Sequence, residues 1–133
     1  MALFILRLFP SLFMALLHGL PKLNKMDMLI ARFPDPIGLG SALSLYLVIF
    51  AELGCSILLM LGLYTRLATI PLMITMGVAA FIFHVNDPIS DIELPVIYLI
   101  IYLVLFIMGP GSYALKGPVP KKDIPFLNKL LKF

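Results

Sequence analysis

The stretch at residues 38–63, GLGSALSLYLVIFAELGCSILLMLGL, decides how this chain is read. It holds a single charged residue, Glu52, in a run that is otherwise apolar or small, and it exceeds the roughly 20 residues a helix needs to cross a hydrocarbon layer of about 30 Å. Such a run is read as a membrane span. Three more runs share its character, at about residues 2–20, 67–84 and 93–108. The first resembles a secretory leader in length. Its only basic residue, Arg7, lies within the apolar run, and Pro21-Lys22 follows where a small-residue cleavage site belongs, so it is read as a retained helix, kinked near Pro10. Pro71 and Pro95 are expected in first turns, where a missing N–H costs nothing, and Gly109-Pro110-Gly111 stops the fourth span.

Composition agrees. With 62% hydrophobic residues, 13% charged residues and a mean hydropathy of +1.08, the 133 residues carry more apolar surface than a water-soluble domain of this size can bury. The net charge of +3 and pI near 9.1 do not point to nucleic acid, because the basic residues gather at the ends of apolar runs instead of forming a stripe. Cys55 is the single cysteine, which excludes an internal disulfide and any dithiol motif; it is read as a small buried hydrophobe. Phosphate-cradling glycine loops, paired-histidine zinc helices and serine elbows are missing from the sequence.

The expected architecture is therefore all-α: an integral membrane bundle of four transmembrane helices over residues 1–111, followed by a basic amphipathic tail at 112–133. Leu23, Met26, Ile30 and Phe33 recur at helical spacing with Lys25, Asp27 and Arg32 on other faces, which predicts a short interfacial helix after the first span. In the tail, Ile124, Leu127, Leu130 and Leu131 interleave with Lys121, Lys122, Lys129 and Lys132, a pattern suited to anionic lipid. An even number of spans places both termini on one side. That side carries Arg66 and the tail lysines, against Lys22, Lys25 and Arg32 in the first loop and no basic residue in the third, so both termini are predicted cytoplasmic. Gly54, Gly62 and Gly77 are expected to let helices approach closely.

Ionisable groups at membrane depth then become the candidates for function. Glu52 lies ten residues from Gly62, roughly 15 Å along a helix and near the bilayer midplane, where a charge costs about 2.5–3.5 kcal/mol on the lenient scale. Its expected partner is Arg7; the alternative keeps Glu52 protonated against a neighbouring helix while Arg7 snorkels to the headgroups. Arg66 is read as an interfacial anchor. His18, Lys22, His84 and Glu93 fall at the outer ends of spans and are expected to form one layer able to exchange protons above a ligand in the interior, or else to be ordinary helix-end residues. His18 and His84 also suggest a haem or metal clasp, but further ligands at metal spacing are lacking, so no metal is assigned.

Arg7, His18-Gly19 with Lys22, Glu52 with Gly62 ten later, Gly62-Leu63-Tyr64-Thr65-Arg66, His84 before Asp87-Pro88, Glu93 before Tyr98, and Gly109-Pro110-Gly111 occur in that order. In this the sequence resembles the DoxX family of small four-helix membrane proteins from Arg7 to Gly111, departing from it at Ala114 and Lys116, where the family often has a serine and then an aspartate. The resemblance implies a membrane subunit of redox systems, similar to the small subunit of quinone-reducing thiosulfate oxidoreductases or of terminal quinol oxidase assemblies, or to partners of oxidative-stress enzymes. The expectation is a multipass protein of a bacterial or archaeal cytoplasmic membrane, with redox partner subunits, a homo-oligomer possible, and no cofactor of its own. A quinone would lodge between the helices, Glu52 and Arg7 forming the reactive pair and His18, Lys22, His84 and Glu93 the ligand-binding rim. Two rivals are a scaffold whose charges only hold helices and recruit partners, and a proton-coupled transporter loading Glu52, although no inverted repeat or broken helix is seen.

Overall fold

The structure, a computed structural model, describes residues 1–115. Four long helices run antiparallel in turn: α1 Ala2–Asn24, α3 Ser41–Leu61, α4 Thr65–Phe83 and α5 Ile89–Met108, with a single-turn helix α2 Met26–Leu29 between the first two. Among the described residues there is no strand. One end of the bundle carries residue 1, the turn at 62–64 and the segment after α5; the other carries the loops at 25–40 and 84–88. They are called here the terminal end and the loop end.

All four helices are long and apolar enough to cross a membrane. Their outward faces are apolar as well: Phe13, Leu17, Phe50, Ile74, Ile100 and Ile107 are between 49% and 66% exposed. A helix that is apolar all round belongs in lipid, where every backbone group must be satisfied within the helix itself. The chain is thus a four-helix membrane protein. Its interior is a thin core of Met14, Leu45, Leu59, Leu72, Tyr102 and Leu105, all nearly or fully inaccessible.

Close approach is concentrated at two glycines. A Cβ on Gly19 would lie 2.8 Å from the backbone nitrogen of Leu53 and 2.9 Å from the carbonyl carbon of Glu52, so α1 and α3 touch backbone to backbone there. Gly62, at φ +76°, ends α3: Leu63 N–H bonds the Leu58 carbonyl at 2.9 Å and Gly62 N–H the Leu59 carbonyl at 3.0 Å, closing the helix with its last carbonyls satisfied. The close approach expected at Gly54 and Gly77 does not occur. Gly77 has nothing within 4 Å of its missing Cβ and Gly54 meets only Phe50 of its own helix, because both lie off the contact face.

Several boundaries differ from expectation. The first helix does not end at Leu20; it continues through Pro21 to Asn24 and so carries Lys22 on its last turns. Pro71 and Pro95 are each the seventh residue of their helix and not in a first turn, leaving the carbonyls of Leu67 and Asp91 without their usual helical donors. The fourth span opens at Ile89 behind Pro88, one turn earlier than its apolar run suggests. The interfacial helix shrinks to Met26–Leu29, since Pro34 and Pro36 bar its extension. The tail expected at 112–133 lies outside the described residues beyond 115.

Asp35 organises that irregular loop. Its carboxylate accepts the N–H groups of Leu39 (2.8 Å) and Gly40 (2.7 Å) and the Ser44 hydroxyl (2.9 Å), meeting the open donors ahead of α3. The hydrogen bond from Gly40 is the largest influence holding its pKa below the ordinary carboxylate value, outweighing partial desolvation. A lowered folded pKa stabilises the fold above the unfolded value of about 4 and ceases to do so as pH falls through the folded one.

Two outcomes follow in detergent melting experiments. Asp35→Ala lowers the melting midpoint at pH 7, and its gap from wild type closes as the pH is taken below about 4. Gly19→Ala costs about 1–3 kcal/mol through overpacking against α3, whereas Gly77→Ala is neutral or stabilises by up to about 1 kcal/mol.

Candidate functional site

Helices α1 and α3 cross at Gly19, and α4 and α5 run in contact along their length. Between these two pairs, backbone approach within 8 Å is concentrated toward the terminal end: Ala2–Phe13 of α1 meets α5, and Phe50–Leu61 of α3 meets α4. Toward the loop end the pairs part. The space between them is a cavity of about 650 Å³ lined by all four helices and roofed by Phe33, Pro34, Pro36, Ile37 and Leu39 of the α2–α3 loop.

The floor of this mostly apolar cavity holds the buried charge. Glu52, at the middle of α3 and only 4% exposed, pairs with Lys22, whose Nζ donates to Glu52 Oε2 at 2.6 Å and to the His18 carbonyl at 3.4 Å. Lys22 stands a turn beyond Gly19, but a helical side chain leans toward the N-terminus of its helix, which aims the ammonium back at Glu52. A carboxylate at this depth needs such a partner, because removing both charges from water is costly and leaving one alone costs more.

The expected Arg7–Glu52 pair is therefore not formed. Arg7 is fully buried at the terminal end, level with Gly62 and so roughly 15 Å along α3 from Glu52. Its guanidinium donates to the carbonyls of Pro110 (2.6 Å) and Tyr113 (2.8 Å) and lies over the Phe4 ring at 5.7 Å. It does not snorkel either; the chain after α5 brings acceptors to it. Arg66 works beside it, donating to the Ile107 carbonyl at 3.3 Å next to Gly109.

Of the four residues expected in the rim layer, His18, Lys22 and His84 line the cavity and Glu93 does not. Because α5 starts at Ile89, Glu93 stands about 140° around that helix from the inward Tyr98 and is exposed; Ser90 and Asp91 take its place. His84 Nδ1 bonds the Asp87 carboxylate at 2.7 Å. Among the described residues no three His, Cys, Asp or Glu side chains gather as a metal site.

Sequence reasoning overlooked an aromatic and hydroxyl series leading inward from this layer. The His18 ring meets Tyr98 edge-on at 6.0 Å, Tyr98 stacks on Tyr102 at 5.9 Å, and Ser56, one turn beyond Glu52, is fully buried. The i, i+4 spacings of Tyr98 with Tyr102 and of Glu52 with Ser56 were the available signal, since both place polar atoms on one helix face. Three helices also change to wider i→i+5 bonding beside the cavity: Met14–Gly19 in α1, Phe50–Cys55 in α3 and Ala79–Phe83 in α4, the last closed by His84 N–H to the Ala79 carbonyl at 3.0 Å. Such π turns are frequent at functional sites. Here they carry His18, Glu52 and Phe83.

The set offers an ammonium donor, a carboxylate acceptor and an imidazole at the bottom of an apolar space, enough to grip a polar headgroup and to give or take a proton. The Lys22–Glu52 pair itself is tested by a double-mutant cycle: Lys22→Met, which strands the carboxylate, lowers the melting midpoint more than Lys22→Met with Glu52→Leu. A coupling energy on the order of 1 kcal/mol or more is expected.

Comparison with known proteins gives one positive result. No curated protein and no solved structure matches the chain. A model of the DoxX family matches residues 2–85, which takes in α1, α3 and α4 with Arg7, His18, Lys22, Glu52, Gly62 and His84. On that match, over more than half its length, this four-helix membrane protein belongs to the DoxX family.

Proposed function

We propose that this protein is the quinone-binding membrane subunit of a redox complex, holding the quinone ring over the Lys22–Glu52 pair. The observation that carries the reading is a buried ion pair at the inner end of an apolar cavity of about 650 Å³, a volume suited to a ring and the start of its tail. Quinone oxygens accept hydrogen bonds, which Lys22 and His18 supply, and Glu52 can pass protons. Reduction to the quinol takes two electrons and two protons. His18 and Glu52 relay the protons, while the electrons come from a partner subunit, because this chain holds no dithiol and no cluster of metal-ligating residues among those described.

In this reading the protein lies in a bacterial or archaeal cytoplasmic membrane with both termini cytoplasmic, as the distribution of Lys and Arg supports, so the cavity serves the outer half of the bilayer. Arg7 is then a fastening of the terminal end and takes no part in the reaction, and Glu93 lies outside the site.

The protein reconstituted in nanodiscs is titrated with a long-tailed quinone, and extracts of the purified protein are analysed for bound quinone. Saturable binding is expected, weakened about tenfold, or ~1.4 kcal/mol, by Glu52→Gln and by Lys22→Met, with Glu93→Gln unchanged. Absence of saturable binding together with recovery of partner proteins supports a scaffold instead, and proton-driven uptake into vesicles that disappears in Glu52→Gln supports a transporter; either result overturns the reading.

A further inference from the structure

The cavity has walls of two kinds, and their difference indicates how it is reached. From the loop end, the way is bordered by the 33–39 segment, whose apolar side chains line the cavity while Ile37 and Leu39 also stay exposed, and whose backbone is tied down at Asp35 and by the Ser41 hydroxyl on the Phe33 carbonyl at 3.0 Å. Between α1 and α5, the seam is crossed by the His18 and Tyr98 rings. Between α3 and α4, among the described residues, no hydrogen bond, ion pair or ring contact joins residues 41–49 to α4. The Ser41–Ile49 half of α3 makes scarcely any backbone approach within 8 Å of α4.

Leu47 on α3 and Ile74 on α4 border that gap. Both line the cavity, and at 46% and 60% they stay well exposed instead of packing against the opposite helix. By helical rise they lie roughly 9 Å and 14 Å from the loop-end limits of α3 and α4, a depth at which the medium outside is hydrocarbon. An opening at that depth admits chains and excludes water. Val48 and Thr75, the next residue on each helix, also line the cavity, and Val48 lies one turn before Glu52 on the same face of α3.

We propose that the gap between α3 and α4, rimmed by Leu47 and Ile74, is a lateral portal that holds the hydrocarbon tail of a membrane-dissolved ligand while its polar head sits at Lys22 and Glu52. The site thereby takes long-tailed amphiphiles out of the bilayer and binds tail-free, water-borne analogues more weakly. This rests on the ligand-binding reading above for the head, while the portal itself follows from the gap and its rim. Hydrocarbon in the gap restores the dispersion contacts that the parted helix faces lack, which is why an apolar tail suits it.

The sequence contains no tryptophan, so a single introduced one is a clean probe. Thr75→Trp and, on the opposite wall, Val48→Trp are reconstituted separately into vesicles of brominated or unbrominated phosphatidylcholine. Strong quenching by the brominated chains is expected at whichever of the two folds, with little quenching by aqueous iodide, and a smaller difference between brominated and unbrominated vesicles when long-tailed quinone, itself a quencher in both, is added. Quenching by iodide and not by brominated chains shows a cavity open to water and overturns the portal. In parallel, Leu47→Trp with Ile74→Trp, which plugs the gap, is expected to weaken long-tailed quinone about tenfold and a tail-free quinone not at all. If wild type binds both equally and the plugged variant is unchanged, the portal is wrong while quinone binding stands; if neither quinone binds yet brominated chains still quench, the portal stands and the quinone reading falls.

Discussion

Hydrocarbon offers a charge no solvent, and the organisation of this protein follows from where its charges find partners instead. Two long basic side chains on α1 are directed into the bundle and answered at different depths. Arg7 is answered by backbone carbonyls of the segment after α5, and Lys22 by the carboxylate of Glu52. Neither solution is available to an isolated helix. Each therefore depends on the bundle being assembled and helps to hold it so.

The two solutions make the ends of the bundle unlike. At the terminal end, Arg7 joins α1 to the chain following α5, Gly62 lets the guanidinium come close, and Leu115 N–H bonds the Leu61 carbonyl at 3.2 Å, so three helices are fastened together. At the loop end the helix pairs separate, and the interior polar groups border an apolar cavity instead of packed side chains. A firmly fastened end supporting an open one is a reasonable way to keep a site accessible without weakening the whole, because packed regions change shape reluctantly. It also divides labour between two residues that depth alone had placed together.

Irregular backbone accumulates on the open side. The π turns at Met14–Gly19, Phe50–Cys55 and Ala79–Phe83 are mildly unfavourable in themselves, and Pro95, which lines the cavity from within α5, releases a carbonyl as well. Membrane helices tolerate such defects when neighbouring helices compensate. In α1 and α3 the π turns meet at the Gly19 crossing, where the absent side chain lets the widened helices touch. That contact places Glu52 beside the last turns of α1, within the reach of Lys22.

Composition and apolar run length by themselves determined that this is a membrane protein of four helices, with Glu52 near mid-depth, because the free energy of placing side chains in hydrocarbon is a sum over residues and needs no knowledge of neighbours. The order of Arg7, His18, Gly19, Lys22, Glu52, Gly62 and His84 further disclosed the family. Pairing was another matter. Rotation about each helix axis, the extension of α1 through Pro21, the early start of α5 at Ile89 and the three π turns are settled by packing between helices, and each moves a side chain through a large angle. Tertiary structure alone thus decided that Lys22 and not Arg7 meets Glu52, that Asp91 and not Glu93 borders the cavity, and that Gly19 and not Gly77 is where two helices touch backbone to backbone.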